Sequence, residues 1–331
     1  MSATVLLVGA GAVGARAARQ LVDTPGIERV LVCGRRAERV HAVADAMGAV
    51  AEAIDWGPGR AVPAGVGVIA CAVPAAVGGL VARVAIQAGI PSASAVDDTQ
   101  DLLTLDAAAT SAGVTVAAGC GLAPGMTDVL ARHAADALES VDEIGVARAG
   151  AAGDACTTSL RIALRDRPGE LRDGRYEEPR RRGGHELVWF PDPVGVRECE
   201  SVATGVHLLA RSFPGIERVT VRVGAPDAGT RFPWPRRDDG DGSWGAVRVE
   251  VWGKRGVARE LIVYGVIERT AIAAGTVLGV TTAALAGVRP GLLRAQPGVH
   301  GLATLAEPRA FLAELAGRGV KAAVFEGVPV A

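Results

Sequence analysis

The sequence predicts an α/β protein in which a doubly wound parallel sheet is followed by an α+β unit with a mixed sheet. Two patterns carry this. From Thr4 to about His133, short apolar runs alternate with Ala-rich runs of helical spacing across short connections. Repeated strand–helix alternation of this kind builds a parallel sheet with helices on its faces. From about Val141, segments such as Val247-Arg248-Val249-Glu250-Val251 alternate apolar and polar residues instead, the pattern of an antiparallel or mixed sheet with one wet face. Residues 1–125 are expected to form the first domain and 126–299 the second, with 300–331 packing back on the first.

Taken in order, Val5-Leu6-Leu7-Val8 reads as a buried strand that ends abruptly in Gly9-Ala10-Gly11-Ala12-Val13-Gly14, before an Ala-rich helical run. A strand entering a helix through Gly-x-Gly-x-x-Gly is the dinucleotide-binding fingerprint of the Rossmann fold. The first glycine permits the tight turn, the second lets the backbone approach a pyrophosphate, and the third lets helix and strand pack closely. Gly9, Gly11, Ala12, Val13 and Gly14 are therefore candidate cofactor contacts. Residues 30–33, 49–54 and 66–71 read as the next strands, with a helix over 37–47. Pro74 sits where a first-turn proline would, ahead of a helix over 75–88. A short strand over 92–96, a helix from about 98 to 112 and a strand over 114–116 complete the first half.

Composition narrows the function classes. The chain has 331 residues, 49% hydrophobic, and a formal net charge of -1, which offers no field for nucleic acid or an anionic membrane. No apolar stretch is long enough to span a bilayer, and the first strand runs into the glycine turn without a signal-peptide pattern. Five scattered cysteines, never in Cys-x-x-Cys, point to reduced thiols in a cytoplasmic protein and to no metal site.

Ligands of doubly wound sheets sit at the carboxyl ends of the strands. After the second strand, where an NAD-selective domain usually carries Asp or Glu for the ribose 2′-hydroxyl, this chain has Gly34 followed by Arg35 and Arg36. A guanidinium can bind a 2′-phosphate through charge-assisted hydrogen bonds, so NADP(H) is expected over NAD(H); the alternative is a solvated charged turn. Asp55 and Trp56 end the third strand where an adenine ring packs, and Trp56 is either its stacking partner or a half-buried loop residue. Ala72, Val73 and Pro74 are small enough to let the nicotinamide ribose approach the backbone. At 119–128, Gly119-Cys120-Gly121-Leu122-Ala123-Pro124-Gly125-Met126-Thr127-Asp128 makes a rigid turn into another helix. Its free N–H groups, around Gly121 and Pro124, could hold a carboxamide or a substrate carboxylate.

The chain resembles the saccharopine dehydrogenase-like family. The residues that carry the resemblance are Gly9 to Gly14, the turn from Gly119 to Asp128, Val96-Asp97, Phe190-Pro191-Asp192-Pro193-Val194-Gly195, and Gly298-Val299-His300-Gly301 with the helix after it. Gly34 departs from the acidic residue many members carry. The resemblance implies an oxidoreductase acting on a carbon–nitrogen bond of an amino-acid or polyamine-like small molecule, with a second domain that holds the substrate and forms a homodimer.

In the second half, residues 141–149, 186–190, 219–224, 246–252 and 260–267 read as strands, with a hairpin turn at Gly253-Lys254-Arg255-Gly256. Helices are expected over 271–285 and 308–318. Residues 165–184, with Arg180-Arg181-Arg182, and 227–243, with Arg236-Arg237, read as loops: solvated faces or a lid over the substrate. Asp97 and Asp98 are the catalytic candidates, as proton shuttles whose carboxyl pKa burial would raise; the competing reading is a helix N-cap, favoured for Asp98. Arg161 and Arg165 are candidates for a substrate carboxylate. Cys120 reads as packing, and His185 and His207 as second-domain candidates for facing the cleft. Neither Tyr176 nor Tyr264 has a lysine four residues on, which argues against a short-chain dehydrogenase. A dinucleotide-binding sensor without turnover is the rival function.

Overall fold

The computed structural model describes residues 2–166, 168–178, 185–225 and 241–324; Arg180-Arg181-Arg182 and Arg236-Arg237 lie outside these. The first half comprises β1 (Ala3–Val8), α1 (Ala12–Val22), β2 (Ile27–Cys33), α2 (Ala37–Met47), β3 (Ala51–Ala53), β4 (Val66–Cys71), α3 (Ala75–Gln87) and β5 (Ser92–Ser94). It continues through α4 (Gln100–Leu103), α5 (Asp106–Ser111), β6 (Thr115–Ala118) and α6 (Met126–Ala135). Then come β7 (Ser140–Ala149), α7 (Asp154–Arg165), β8 (Glu170–Arg172), β9 (Arg175–Glu177), β10 (Glu186–Trp189), β11 (Val196–Ser201), α8 (Val206–Ser212) and β12 (Arg218–Gly224). The chain closes with β13 (Trp244–Arg255), β14 (Ala258–Arg269), α9 (Thr270–Leu285), β15 (Gly298–Gly301), α10 (Leu302–Leu305), α11 (Pro308–Gly317) and β16 (Ala322–Val324).

One sheet is wholly parallel, in the order β15-β6-β5-β4-β1-β2-β3. Its inner strands are continuous apolar runs because helices cover both faces: Val5, Leu6 and Leu7 are fully buried. The other sheet is mixed, in the order β10-β11-β12-β7-β13-β14-β16, with the β8–β9 hairpin joined to β12. Its β7–β12 pair is parallel and its remaining pairs antiparallel. The doubly wound sheet and the mixed second sheet are therefore as the sequence predicts.

Several elements differ from the reading of the sequence. The third strand is only three residues, preceded by a 3-10 turn. The helix expected over 98–112 is broken into α4 and α5, and the break lets Asp106 at the start of α5 accept the Val299 N–H at 2.8 Å and pair with Arg211. The hairpin turn lies at Gly256-Val257, later than expected, since β13 runs to Arg255 and β14 begins at Ala258. Gly253 instead marks the register shift against β7, where a Cβ would sit 2.0 Å from the Ser140 carbonyl oxygen. Residues 170–177, read as loop, form the β8–β9 hairpin.

Two segments beyond residue 125 belong with the first sheet. β15 pairs with β6 at its edge, and α9 packs along α1. α9 is buried on all sides, and its threonines Thr276, Thr281 and Thr282 satisfy their hydroxyls on carbonyls four residues back, at 2.7–2.8 Å. Gly275 and Gly279, one turn apart, let the two helices approach closely. A Cβ at Gly275 would lie 2.4 Å from Arg16 Cβ and 2.9 Å from the Ala17 backbone nitrogen. Gly-to-Ala in a helix ordinarily stabilises by about 1 kcal/mol. Here overpacking against backbone outweighs that gain, so Gly275→Ala should lower stability in urea unfolding by about 1–2 kcal/mol. A stabilised variant would contradict this packing.

Candidate functional site

At the end of β1 the chain turns at Gly9, whose φ of +112° suits glycine alone, and a Cβ there would lie 2.3 Å from the Ala72 carbonyl oxygen. A Cβ at Gly14 would lie 1.8 Å from the Gly9 carbonyl oxygen. These two glycines are required by the protein's own packing at the β1–β4 switch point. Gly11 is not: nothing lies within 4 Å of a Cβ built on it. It faces open space at the start of α1, where the Ala12, Val13 and Gly14 N–H groups precede the first helical hydrogen bond, Ala15 N–H to Gly11 O. No side chain caps this end and no acid lies in its first turn. The geometry fits a dinucleotide pyrophosphate, with room where it would approach and unused donors beneath it.

Gly34 ends β2 directly beside this turn, its Cβ position 3.4 Å from the Ala10 nitrogen. Arg35 and Arg36 follow it, both exposed and without an ion-pair partner among the described residues. Trp56 does not offer an adenine platform. It is 7% exposed, packs among Leu6, Leu31 and Ile69, and donates its indole N–H to Ala61 O at 2.9 Å. Asp55 is exposed and pairs with Arg60 at 2.9 Å.

The turn at Gly9 opens onto a cleft between the two sheets. Its first-sheet wall is Val13, then Ala72, Val73 and Pro74 after β4, Ala95, Val96 and Asp97 after β5, and Gly121 and Leu122. The opposite wall is Arg148 near the end of β7, Ala155, Cys156 and Ser159 on α7, and Thr270 and Ala274 on α9. The loop before α7 also reaches the glycine turn, with the Cβ position of Gly153 at 3.5 Å from Ala12 Cβ.

The chemistry of the cleft centres on Arg148, which the sequence reading missed. It is 6% exposed, and its Nη2 donates to Asp97 Oδ2 at 3.0 Å. Burial opposes its charge, but Asp97 beside it outweighs that and holds the guanidinium pKa above its ordinary value. Asp97 is thus not a carboxyl against an apolar wall but the partner of a buried cation. Burial pushes the neighbouring Cys156 thiol up to about 11, with the Asp97 charge adding to the effect. Asp98 faces away from the cleft and accepts the Gln100 N–H at 3.1 Å, but the N-cap of α4 is Thr99, so Asp98 stands one residue before the cap rather than at it. Arg161 and Arg165 lie on the exposed side of α7 and do not line the cleft.

In the turn over 119–125, which contains a cis Ala123–Pro124 bond, two N–H groups are used within the protein, Cys120 to Ser94 O and Gly121 to Pro124 O, and the Met126 N–H that follows donates to Gly121 O. The Cys120 and Gly121 N–H groups are therefore not available to a carboxamide or a carboxylate. Gly121 lines the cleft, whereas Pro124 lies behind it, packed toward Gly119 and Gly205. Gly125, at φ +129°, fits because a Cβ would lie 2.2 Å from Gly121 O. Cys120 is fully buried, and burial pushes its thiol up to about 12, consistent with packing. His207 lies in a separate cavity, and His185 pairs with Glu198 at 3.0 Å.

In the first turn of α6, Asp128 is 1% exposed. Its Oδ1 accepts the Thr127 hydroxyl at 3.2 Å, and its Oδ2 has no partner. Burial pushes this carboxyl from 3.8 up to about 7.

A family model described as shikimate / quinate 5-dehydrogenase matches residues 1–59. Among solved structures, an apo saccharopine dehydrogenase (L-Glu forming) from Saccharomyces cerevisiae is similar over 98% of this chain and 100% of that one, at 14% identity and a TM-score of 0.71. The C. glutamicum DAP dehydrogenase in complex with DAP is similar over 96% and 99%, at 17% identity and a TM-score of 0.51. GenD2 from gentamicin A biosynthesis, in complex with NAD, is similar over 98% and 97%, at 15% identity and a TM-score of 0.50. The shared feature is the fold of both sheets, which agrees with the resemblance read from the sequence.

Asp128 gives the site a pH signature. The folded state holds its proton more tightly than the unfolded chain, so its contribution to stability is full below about pH 4 and lost as pH rises through about 7. Asp128→Asn keeps the acceptor for Thr127 and does not ionise. Urea unfolding between those pH values should show the natural protein losing up to about 4 kcal/mol more than the variant; equal slopes would refute the buried carboxyl.

Proposed function

We propose that the chain is a nicotinamide-dinucleotide-dependent oxidoreductase, preferring NADP(H), that interconverts an amine and an imine on an amino-acid or polyamine-like substrate. The observation that carries this is one cleft lined both by the glycine-turn helix, at Val13, and by the buried Arg148–Asp97 pair. The pyrophosphate would lie over Gly11 against the first N–H groups of α1. Arg35 and Arg36, free of acidic partners, would take the 2′-phosphate beside Gly34. The fold is the one that carries NAD in GenD2 and DAP in the C. glutamicum dehydrogenase.

Ala72, Val73 and Pro74 would hold a nicotinamide ring, which would supply or accept the hydride. The chain's own part is orientation and charge. Arg148 uses Nη2 for Asp97, and its other N–H donors have no partner among the described residues, so they can hold a substrate carboxylate at the cleft. The Asp97 carboxylate beside an iminium nitrogen offsets its positive charge and holds the C=N carbon toward the ring. When hydride adds to that carbon, the π pair moves to nitrogen and a neutral amine results. No protein acid is needed at that step. In reverse, the nitrogen lone pair expels the hydride.

The homodimer is proposed through the second sheet. The β10–β11 hairpin exposes Leu187, Trp189 and Val196, which are 73%, 68% and 58% accessible. The Trp189–Val196 pairing and the alternation along β10 put all three on one face. Trp189→Glu should shift the sedimentation coefficient from dimer to monomer; a protein already monomeric would rule this face out.

The cofactor reading is tested by calorimetry. Gly11→Val places its Cβ with no protein atom within 4 Å, so it should leave Tm within about 2 °C while weakening dinucleotide binding at least about tenfold. The double variant Arg35→Ala, Arg36→Ala should weaken NADPH about tenfold and leave NADH unchanged. Tighter binding of NADH than NADPH by the natural protein would overturn the NADP(H) preference.

A further inference from the structure

A second cavity of about 180 Å³ lies further along α7. The residues of α7 that face the cleft include Cys156 and Ser159; Ala163 and Asp166, at the end of the same helix, line the cavity. The spacing from Cys156 through Ser159 and Ala163 to Asp166 is one helical stripe. One face of α7 therefore runs from the Arg148–Asp97 cleft into the cavity, and from Cys156 to Ala163 it rises about 10 Å. On the facing side the neighbouring residues Asp97 and Asp98 line the cleft and the cavity respectively.

The lining of this cavity is built for positive charge. Asp166 and Asp98 are both solvent-exposed; among the described residues Asp166 has no side-chain partner, and Asp98 accepts only the N–H of Gln100, two residues on. Thr99 lines the cavity, is 3% exposed, and its hydroxyl makes no hydrogen bond among the described residues. Thr204 Oγ1, also in the lining, is buried without a partner. The helix α7 ends here, and its last carbonyls favour a cation. His207 is the remaining ionisable group of the lining; burial lowers its pKa, so the imidazole is neutral at pH 7. Among the described lining residues no side chain carries a positive charge at that pH.

We propose that this cavity is the subsite for a primary ammonium group at the far end of an extended substrate whose reacting carbon lies in the Arg148–Asp97 cleft. The placement of the reacting carbon rests on the oxidoreductase reading; the ammonium subsite itself does not. An ammonium has three donors and no acceptor, which matches two carboxylates and two unpartnered hydroxyls. The substrate class is then an amine or amino acid bearing a second, terminal ammonium, held at one end by Asp98 and Asp166 and, where it has a carboxylate, at the other by Arg148.

The test is calorimetric titration of the full chain, without cofactor, with ε-aminocaproate and with caproate, which differ only in the terminal ammonium. The aminated compound should bind at least about tenfold tighter, the worth of a charged hydrogen-bonded contact. Asp166→Asn, which alters a group with no partner in the fold, should erase most of that difference, and Thr99→Val should reduce it. Equal binding of the two compounds, no binding of either, or an unchanged preference in Asp166→Asn would overturn the subsite. NADPH titrated into the same preparations separates the two readings. Cofactor binding without ammonium preference removes the subsite alone, and ammonium preference without cofactor binding upholds the subsite and removes the oxidoreductase.

Discussion

The geometry between the two sheets hangs on the contact of Arg148 with Asp97. The guanidinium comes from the second sheet and the carboxylate from the carboxyl end of a first-sheet strand, and they meet at 3.0 Å with side chains only 8% and 19% accessible. Bringing two charges so far out of water is costly, and the pair is tolerated only while both partners are present and aligned. A slip of either sheet by one residue would strand a buried charge. The pair thus fixes the width of the cleft and places a cation and an anion side by side where an otherwise apolar wall would stand.

α7 adds a second constraint. Its leading loop lies against the glycine turn at Ala12, its middle faces the ion pair, and its end faces the acidic cavity. A helix is stiff along its axis, so these three places keep fixed separations set by the rise per residue. Whatever lies along this face is measured against a rigid edge rather than against loops.

The first sheet was legible in the sequence because strands buried on both faces must be continuously apolar, and because the glycine turn has few other uses. The second half was less so. β11 (Val-Arg-Glu-Cys-Glu-Ser) and the β8–β9 hairpin are rich in charge and were hidden among loop-like residues. β15 was visible as a motif, but nothing in its four residues says which sheet it joins. Arg148 was invisible for a physical reason. On an alternating strand a lone arginine reads as the wet face, and only the approach of the other sheet turns that face into an interior. Trp56 shows the converse: a large aromatic at a strand end suggests a ligand platform, whereas the neighbouring loop folds over it and accepts its N–H. Pro124 was assigned to the cofactor because of its neighbours in sequence, yet it braces the turn from behind.

The pairing of β15 with β6 bears on how the chain is made. The parallel sheet takes its edge strand from residues 298–301, and α9 packs along α1. During synthesis the amino-terminal half emerges long before those segments, so β6 stands as an uncovered sheet edge and α1 as an exposed apolar stripe while most of the second unit is translated. The nascent chain cannot finish its first unit and move on to the next. It holds an incomplete sheet until residues 298–301 leave the ribosome.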